Sequence, residues 1–121
     1  MCVIDGDAAV RDSLSTLMSL NGVDVTGFAS GADFLSCCGV TPIHCVVCEA
    51  ELPDITGLEL FIRFKPLYPH SRFALLMSRS NRPALEMARS AGVDAVFCKP
   101  LVNRRLRDFV RRTPLPEVDL R

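Results

Sequence analysis

The sequence contains no run of about 18 apolar residues, so no segment of it reads as a membrane-spanning helix. It carries no net charge, with 14 Lys+Arg against 14 Asp+Glu. Bulk electrostatics therefore gives no reason to expect nucleic-acid or bilayer binding. Met1-Cys2-Val3-Ile4-Asp5 lacks a basic region followed by an apolar core, so no signal peptide is predicted and a cytoplasmic location is expected. His44 and His70 have no further His or Cys at metal-ligand spacing. No internal repeat, nucleophile–base pair or cofactor loop is present, so an independent enzyme is not expected.

What is present is enough for one packed domain: 121 residues, 49% of them hydrophobic. Cys2 to Asp5 reads as a short strand and Asp7 as the cap of a helix. Val10, Leu14, Leu17 and Met18 form the apolar stripe of that helix, which stops at Asn21-Gly22. Val23 to Phe28 reads as a second strand, and Ser30 caps a short helix through Phe34 and Leu35. His44 to Cys48 is the central strand. It is followed by the acidic turn Glu49-Ala50-Glu51-Leu52-Pro53-Asp54 and a helix from Gly57 that buries Leu60, Phe61 and Phe64. Arg72 to Met77 is a fourth strand, Pro83 to Ala91 a helix, Ala95 to Cys98 a fifth strand. Val102, Leu106, Phe109 and Val110 mark a last helix. Strands alternating with helices over short connections predict an α/β domain with a parallel sheet covered on both faces. In such sheets a carboxylate at the C-terminal end of a buried strand sits where sites form, and Glu49 is that carboxylate.

The six cysteines are expected to be reduced. Cys2, Cys45, Cys48 and Cys98 lie in apolar runs that read as buried strands. Cys45 and Cys48, three apart on a strand, point to opposite faces and cannot act as a redox pair. Cys37-Cys38 is the pair expected to be exposed and oxidisable.

Several fragments, in order and at consistent spacing, resemble a two-component response-regulator receiver domain. They are Val3-Ile4-Asp5-Gly6-Asp7, Ala9-Val10-Arg11-Asp12-Ser13-Leu14, Phe28-Ala29-Ser30-Gly31-Ala32-Asp33-Phe34-Leu35, Leu52-Pro53-Asp54-Ile55-Thr56-Gly57-Leu58-Glu59-Leu60, Ala91-Gly92-Val93-Asp94-Ala95 and Lys99-Pro100. The phrasing is similar to receivers that precede LuxR-type helix-turn-helix domains, as in the FixJ group. The resemblance implies a doubly wound five-stranded parallel sheet, (βα)5, of strand order 2-1-3-4-5 as in CheY and flavodoxin. It places the receiver at residues 1–112, with 113–121 as a tail or the start of a linker to an absent output domain.

In that family two acids after strand 1 help hold Mg²⁺, and an Asp after strand 3 accepts a phosphoryl group from a histidine kinase. A Thr or Ser ending strand 4 and a Lys after strand 5 bind that group. Carried onto this chain, the first acid matches Asp5 and the lysine matches Lys99. The second acid falls on Gly6, the phosphoacceptor on Glu49, the hydroxyl on Met77 and the strand-5 switch aromatic on Val96. Asp7, Glu51 and Ser78 complete the expected pocket. Glu49 moves the carboxylate out by about 1.5 Å, and a misplacement of about 1 Å can cost roughly 100-fold in a positioned reaction. No metal or other cofactor is expected. Asp5 and Glu49 are the weak metal candidates that remain, and Asp7 or Glu51 would rescue Mg²⁺ binding only in a shifted geometry.

The expected function is an atypical receiver that regulates transcription or signalling by protein contact, without standard Mg²⁺-dependent aspartyl phosphorylation. Glu49 then either mimics a phosphoryl oxygen and holds an active-like state, or forms only a structural ion pair with Lys99. Expected partners are a second copy, through strand 5 and its flanking helices, and a DNA-binding output domain or other protein. Arg104, Arg105, Arg107, Arg111 and Arg112 read as a solvated or partner-facing helix face, partly paired with Asp108, rather than a nucleic-acid site. The alternatives are a small-ligand or anion sensor in the altered pocket, and a redox sensor through Cys48 and Cys98.

Overall fold

The computed structural model describes residues 1–77, 82–99 and 103–111, leaving the side chains of 103–105 aside. Expectations for Ser78, Pro100, Val102, Arg112 and the tail, and for Asp108 pairing with Arg104 or Arg112, lie outside the described residues.

Five strands alternate with five helices: β1 Cys2–Ile4, α1 Ala8–Leu20, β2 Thr26–Phe28, α2 Gly31–Leu35, β3 Cys45–Glu49, α3 Gly57–Phe64, β4 Arg72–Met77, α4 Arg82–Ala91, β5 Ala95–Cys98 and α5 Asn103–Arg111. All strand pairs are parallel, and the order is β2-β1-β3-β4-β5. The order reverses at β1, between β2 and β3, so the carboxyl ends of β1 and β3 flank a switch-point crevice.

Period-two alternation sorts the strand side chains between two helical layers. Ile4, Val46, Cys48, Phe73 and Leu75 pack with Phe34 of α2, with Leu60, Phe61 and Phe64 of α3, and with Ala88 of α4. Val3, Cys45, Val47, Ala74, Leu76 and Phe97 pack with Leu14 and Met18 of α1 and with Leu106, Phe109 and Val110 of α5. Cys45 and Cys48 thus face opposite layers. Phe64 is the hub of the first layer, with Phe34, Tyr68 and Phe73 at centroid distances of 5.7, 4.9 and 5.5 Å.

Caps set the helix starts. The Asp7 carboxylate accepts from the Ala9 amide, the Ser30 hydroxyl from Asp33 and the Thr56 hydroxyl from Glu59. Two strands differ from expectation. β2 is only Thr26–Phe28, because the Val23 amide is drawn back to the Met18 carbonyl to close α1 and β1 offers only three rungs. β3 begins one residue late: His44 is exposed, its carbonyl accepts from the Arg72 amide, and Glu49 takes the last rung opposite Leu76. Cys98 is exposed, not buried, because it ends the edge strand β5, while Cys37 and Cys38 are half-buried.

Asp54 has a role that the sequence did not signal. Its two carboxylate oxygens accept from the Gly31 and Ala32 amides at 3.0 and 2.8 Å, latching the β3–α3 loop to the start of α2. These amide bonds hold its carboxyl below the usual range. A carboxyl depressed in the folded state stabilises above its unfolded pKa, and that stabilisation is lost as pH falls through the folded value. Asp54→Ala should therefore lower the thermal midpoint at neutral pH, with the gap to the parent closing below pH about 4. Melting curves recorded across that range check it.

Candidate functional site

Three chain segments meet at the carboxyl ends of β1, β3 and β5. Asp5 follows β1 and is fully buried. Its amide is tied to the Phe28 carbonyl at 3.0 Å, and its own carbonyl accepts from Arg11 Nη1 at 2.6 Å. One carboxylate oxygen accepts from the Asp7 amide at 2.9 Å, and the other from Lys99 Nζ at 3.1 Å. Glu49 ends β3, with Oε1 3.3 Å from the Gly6 amide that donates to it and Oε2 3.7 Å from Lys99 Nζ. Lys99 is set by its own backbone, whose amide donates to the Met77 carbonyl at 2.8 Å, and its side chain is 23% exposed.

The structure thus brings Asp5, Gly6, Glu49 and Lys99 together, with Met77 beneath. Lys99 binds Asp5 more closely than Glu49. The sequence alone pairs Lys99 with Glu49 and leaves Asp5 as a metal candidate; the structure gives Lys99 to both carboxylates. Asp7 is spent on its helix cap and Glu51 is exposed, bridged to Thr56 on the loop. Met77 is buried at the end of β4, and Val96 is half-buried, packed against the α2–α4 layer. Gly6 is exposed, and a Cβ there would meet only Pro53 Cδ at 3.6 Å and the Ala29 carbonyl at 4.0 Å, so its position has room for a side chain.

Partial burial raises the Glu49 carboxyl above its ordinary value and the Asp5 charge raises it further, while the Gly6 amide and Lys99 oppose the rise. Burial also pushes the Cys48 thiol far up, reinforced by Glu49, Asp5 and Asp54. Cys48 is fully buried, which removes it as the reactive half of a Cys48–Cys98 sensor.

Family implications include Mg²⁺, and the donors present do not fit it. A magnesium site takes carboxylates whose lone pairs are free to coordinate. Here Asp5 and Glu49 already share the Lys99 ammonium as their counter-charge, and Gly6 supplies no third carboxylate. Among the described residues no group of three or more His, Cys, Asp or Glu could hold a metal ion.

Comparisons with known proteins agree on the family. The sequence matches the response regulator receiver domain over residues 1–111. It is 32% identical over 108 residues to the transcriptional regulatory protein FixJ of Bradyrhizobium diazoefficiens, covering 89% of this chain and 53% of that protein. It is 26% identical to the response regulator protein TodT of Pseudomonas putida, covering 90% and 48%. Full-length FixJ from B. japonicum superposes with a TM-score of 0.84 at 29% identity, over 93% of this chain and 56% of that one. The beryllofluoride-activated DrrB receiver domain gives 0.84 at 27%, over 93% and 94%. The chain spans about half the length of the curated relatives it matches. It belongs to the response regulator receiver domain family.

Proposed function

We propose that this receiver signals through protein contact and does not undergo Mg²⁺-dependent aspartyl phosphorylation. The observation that carries the reading is the Asp5–Lys99–Glu49 arrangement, in which a glutamate stands at the phosphoacceptor position and already engages the lysine. At about 4 Å and an effective dielectric near 20, a charge pair gains about 4 kcal/mol before desolvation. The pocket therefore holds its lysine without any phosphoryl group. The pocket is built from Asp5, Gly6, Glu49 and Lys99, with Met77 at the end of β4 and with Asp7 and Glu51 on its flanks. Met77 and Val96 replace the hydroxyl and aromatic that would couple phosphorylation to movement of strand 5. An anion-sensing role is less well supported, because an anion would have to displace a carboxylate from Lys99.

The output is proposed to be a DNA-binding domain following a receiver at residues 1–112, in a cytoplasmic protein. The relatives include transcriptional regulators about twice as long. Contact with a second copy or a partner is proposed along β5 and its flanking helices. A cleft of about 490 Å³ lies there, lined by Arg72, Leu85, Arg89, Phe97, Asp108 and Phe109 among others, with Arg72 stacked on the Phe109 ring at 4.3 Å.

Two outcomes test the reading. The triple variant Gly6→Asp, Glu49→Asp, Met77→Thr should gain a labile phosphate adduct with acetyl phosphate and Mg²⁺, seen by intact mass. No gain would mean that the pocket has diverged beyond those three positions. Glu49→Gln tests the ion pair. A carboxyl raised in the folded state destabilises as pH climbs from its unfolded to its folded pKa. The variant should therefore gain in thermal midpoint relative to the parent on going from pH about 4 to pH about 7. If the pair also maintains the signalling conformation, amide exchange around Lys99 will change. Unchanged exchange and unchanged oligomeric state would leave Glu49 a structural ion pair only.

A further inference from the structure

Cys2, Cys37 and Cys38 take no part in the pocket, yet the fold brings them to one place. Helix α2 runs against the strands. Near its end Phe34 packs on Phe28, at 5.5 Å between ring centroids, and Phe28 is the register partner of Ile4 in β1. Cys38 lies four residues beyond Phe34, about 6 Å along the helical path. Cys2 lies two residues before Ile4, about 6.6 Å down the strand. The two displacements run the same way, which directs Cys38 towards the N-terminal end of β1, where Cys2 lies. The turn after α2 tightens, with the Cys37 amide on the Phe34 carbonyl at 3.0 Å and the Cys38 amide on the Leu35 carbonyl at 3.1 Å, and the Cys38 thiol donates to the Phe34 carbonyl at 3.6 Å. Cys2 and Cys38 both pack against the α2–α4 core layer, and all three thiols are half-buried rather than sealed.

We propose that Cys2 and Cys38 are a disulfide-competent pair, a redox modification site that staples strand β1 to the turn after α2. The electrostatics agree with the proximity. Burial raises both thiols, and neighbouring thiol charge raises them further, from Cys37 on Cys2 and from Cys2 and Cys37 on Cys38. The co-reactant is a small disulfide, R–S–S–R. The Cys38 thiolate, the less buried of the two, attacks one of its sulfurs, forming Cys38–S–S–R and expelling a thiolate that takes up a proton. The Cys2 thiolate then attacks Cys38 Sγ and expels the second thiolate, which is also protonated. The protein loses two hydrogens and is oxidised, and R–S–S–R is reduced to two thiols. Raised thiol pKa values make the exchange faster at alkaline pH.

The test uses the full chain carrying Cys98→Ser, which removes the exposed thiol and the intermolecular links it would form. It is incubated with oxidised glutathione at alkaline pH, then analysed by intact mass, peptide mapping and thermal unfolding. The expected product has lost two hydrogens, maps to a Cys2–Cys38 link, and melts about 10 °C higher. Dithiothreitol should reverse all three changes, and adding Cys2→Ser should abolish the link and the shift. A vicinal Cys37–Cys38 ring, a Cys2–Cys37 link, glutathione adducts without an internal link, or no oxidation overturns the proposal.

Discussion

Lys99→Met should cost about 3 kcal/mol of stability, the low end for breaking a buried ion pair from one side. In a domain of this size that is a fall of about 12 °C in thermal midpoint. Methionine keeps the apolar stem of the side chain and removes only the charge. Two carboxylates then face each other across the pocket. Asp5 is fully buried and keeps the Asp7 amide, Glu49 keeps the Gly6 amide, and the side-chain contact between the two carboxyls is left without its cation. The low end applies because the Lys99 side chain is 23% exposed, so water partly compensates its partners. Adding Asp5→Asn to Lys99→Met should recover part of the loss, since the amide needs no counter-charge. A double-mutant cycle then measures the Asp5–Lys99 coupling directly. A loss no larger than that of a surface ion pair, about 1 kcal/mol or less, would contradict the assigned role of Lys99.

Gly57→Ala should be comparably damaging, at about 3 kcal/mol, for a steric reason. A Cβ at Gly57 would lie 2.5 Å from the Glu49 carbonyl oxygen, 2.7 Å from Leu75 Cδ2 and 3.1 Å from Ala50 Cα. Two of these neighbours are backbone, and the carbonyl belongs to the residue that carries the pocket carboxylate. Relief would require α3 to move away from β3. The Gly57 amide holds that junction by donating to the Ala50 carbonyl at 2.8 Å. Gly22→Ala is the control. Nothing lies within 4 Å of a Cβ there, but φ is +76°, so only the backbone strain of about 1 kcal/mol is expected. Denaturant unfolding of both variants should therefore separate steric exclusion at Gly57 from conformational strain at Gly22.

The sequence revealed most of the fold because its local signals agree. Asp7 and Ser30 read as caps and each caps a helix, and Thr56 does the same ahead of Gly57 without having been singled out. The apolar pairs Leu14/Met18 and Phe61/Phe64 fall inside as their spacing implies. The misreadings arise where a residue's environment is set by something distant. Cys98 sits in an apolar run, but its exposure depends on β5 being an edge strand. Val23 to Val25 looks like strand, but β1 is too short to pair with it. In the site, Glu49 could be picked out from its position at a strand end, and Asp5 and Lys99 from the resemblance to receiver domains. The nearer contact of Lys99 with Asp5 could not, because the 94-residue separation leaves no local trace. The Asp54 latch on α2 is hidden for the same reason, across 23 and 22 residues.

The most direct test of the central claim is the intact mass of the unaltered chain after incubation with acetyl phosphate and Mg²⁺, with size-exclusion chromatography of the same sample. No adduct and an unchanged oligomeric state are expected, because Lys99 is already engaged by Asp5 and Glu49 and Gly6 supplies no carboxylate to a metal. A labile phosphate on Glu49 or Asp54 would contradict it.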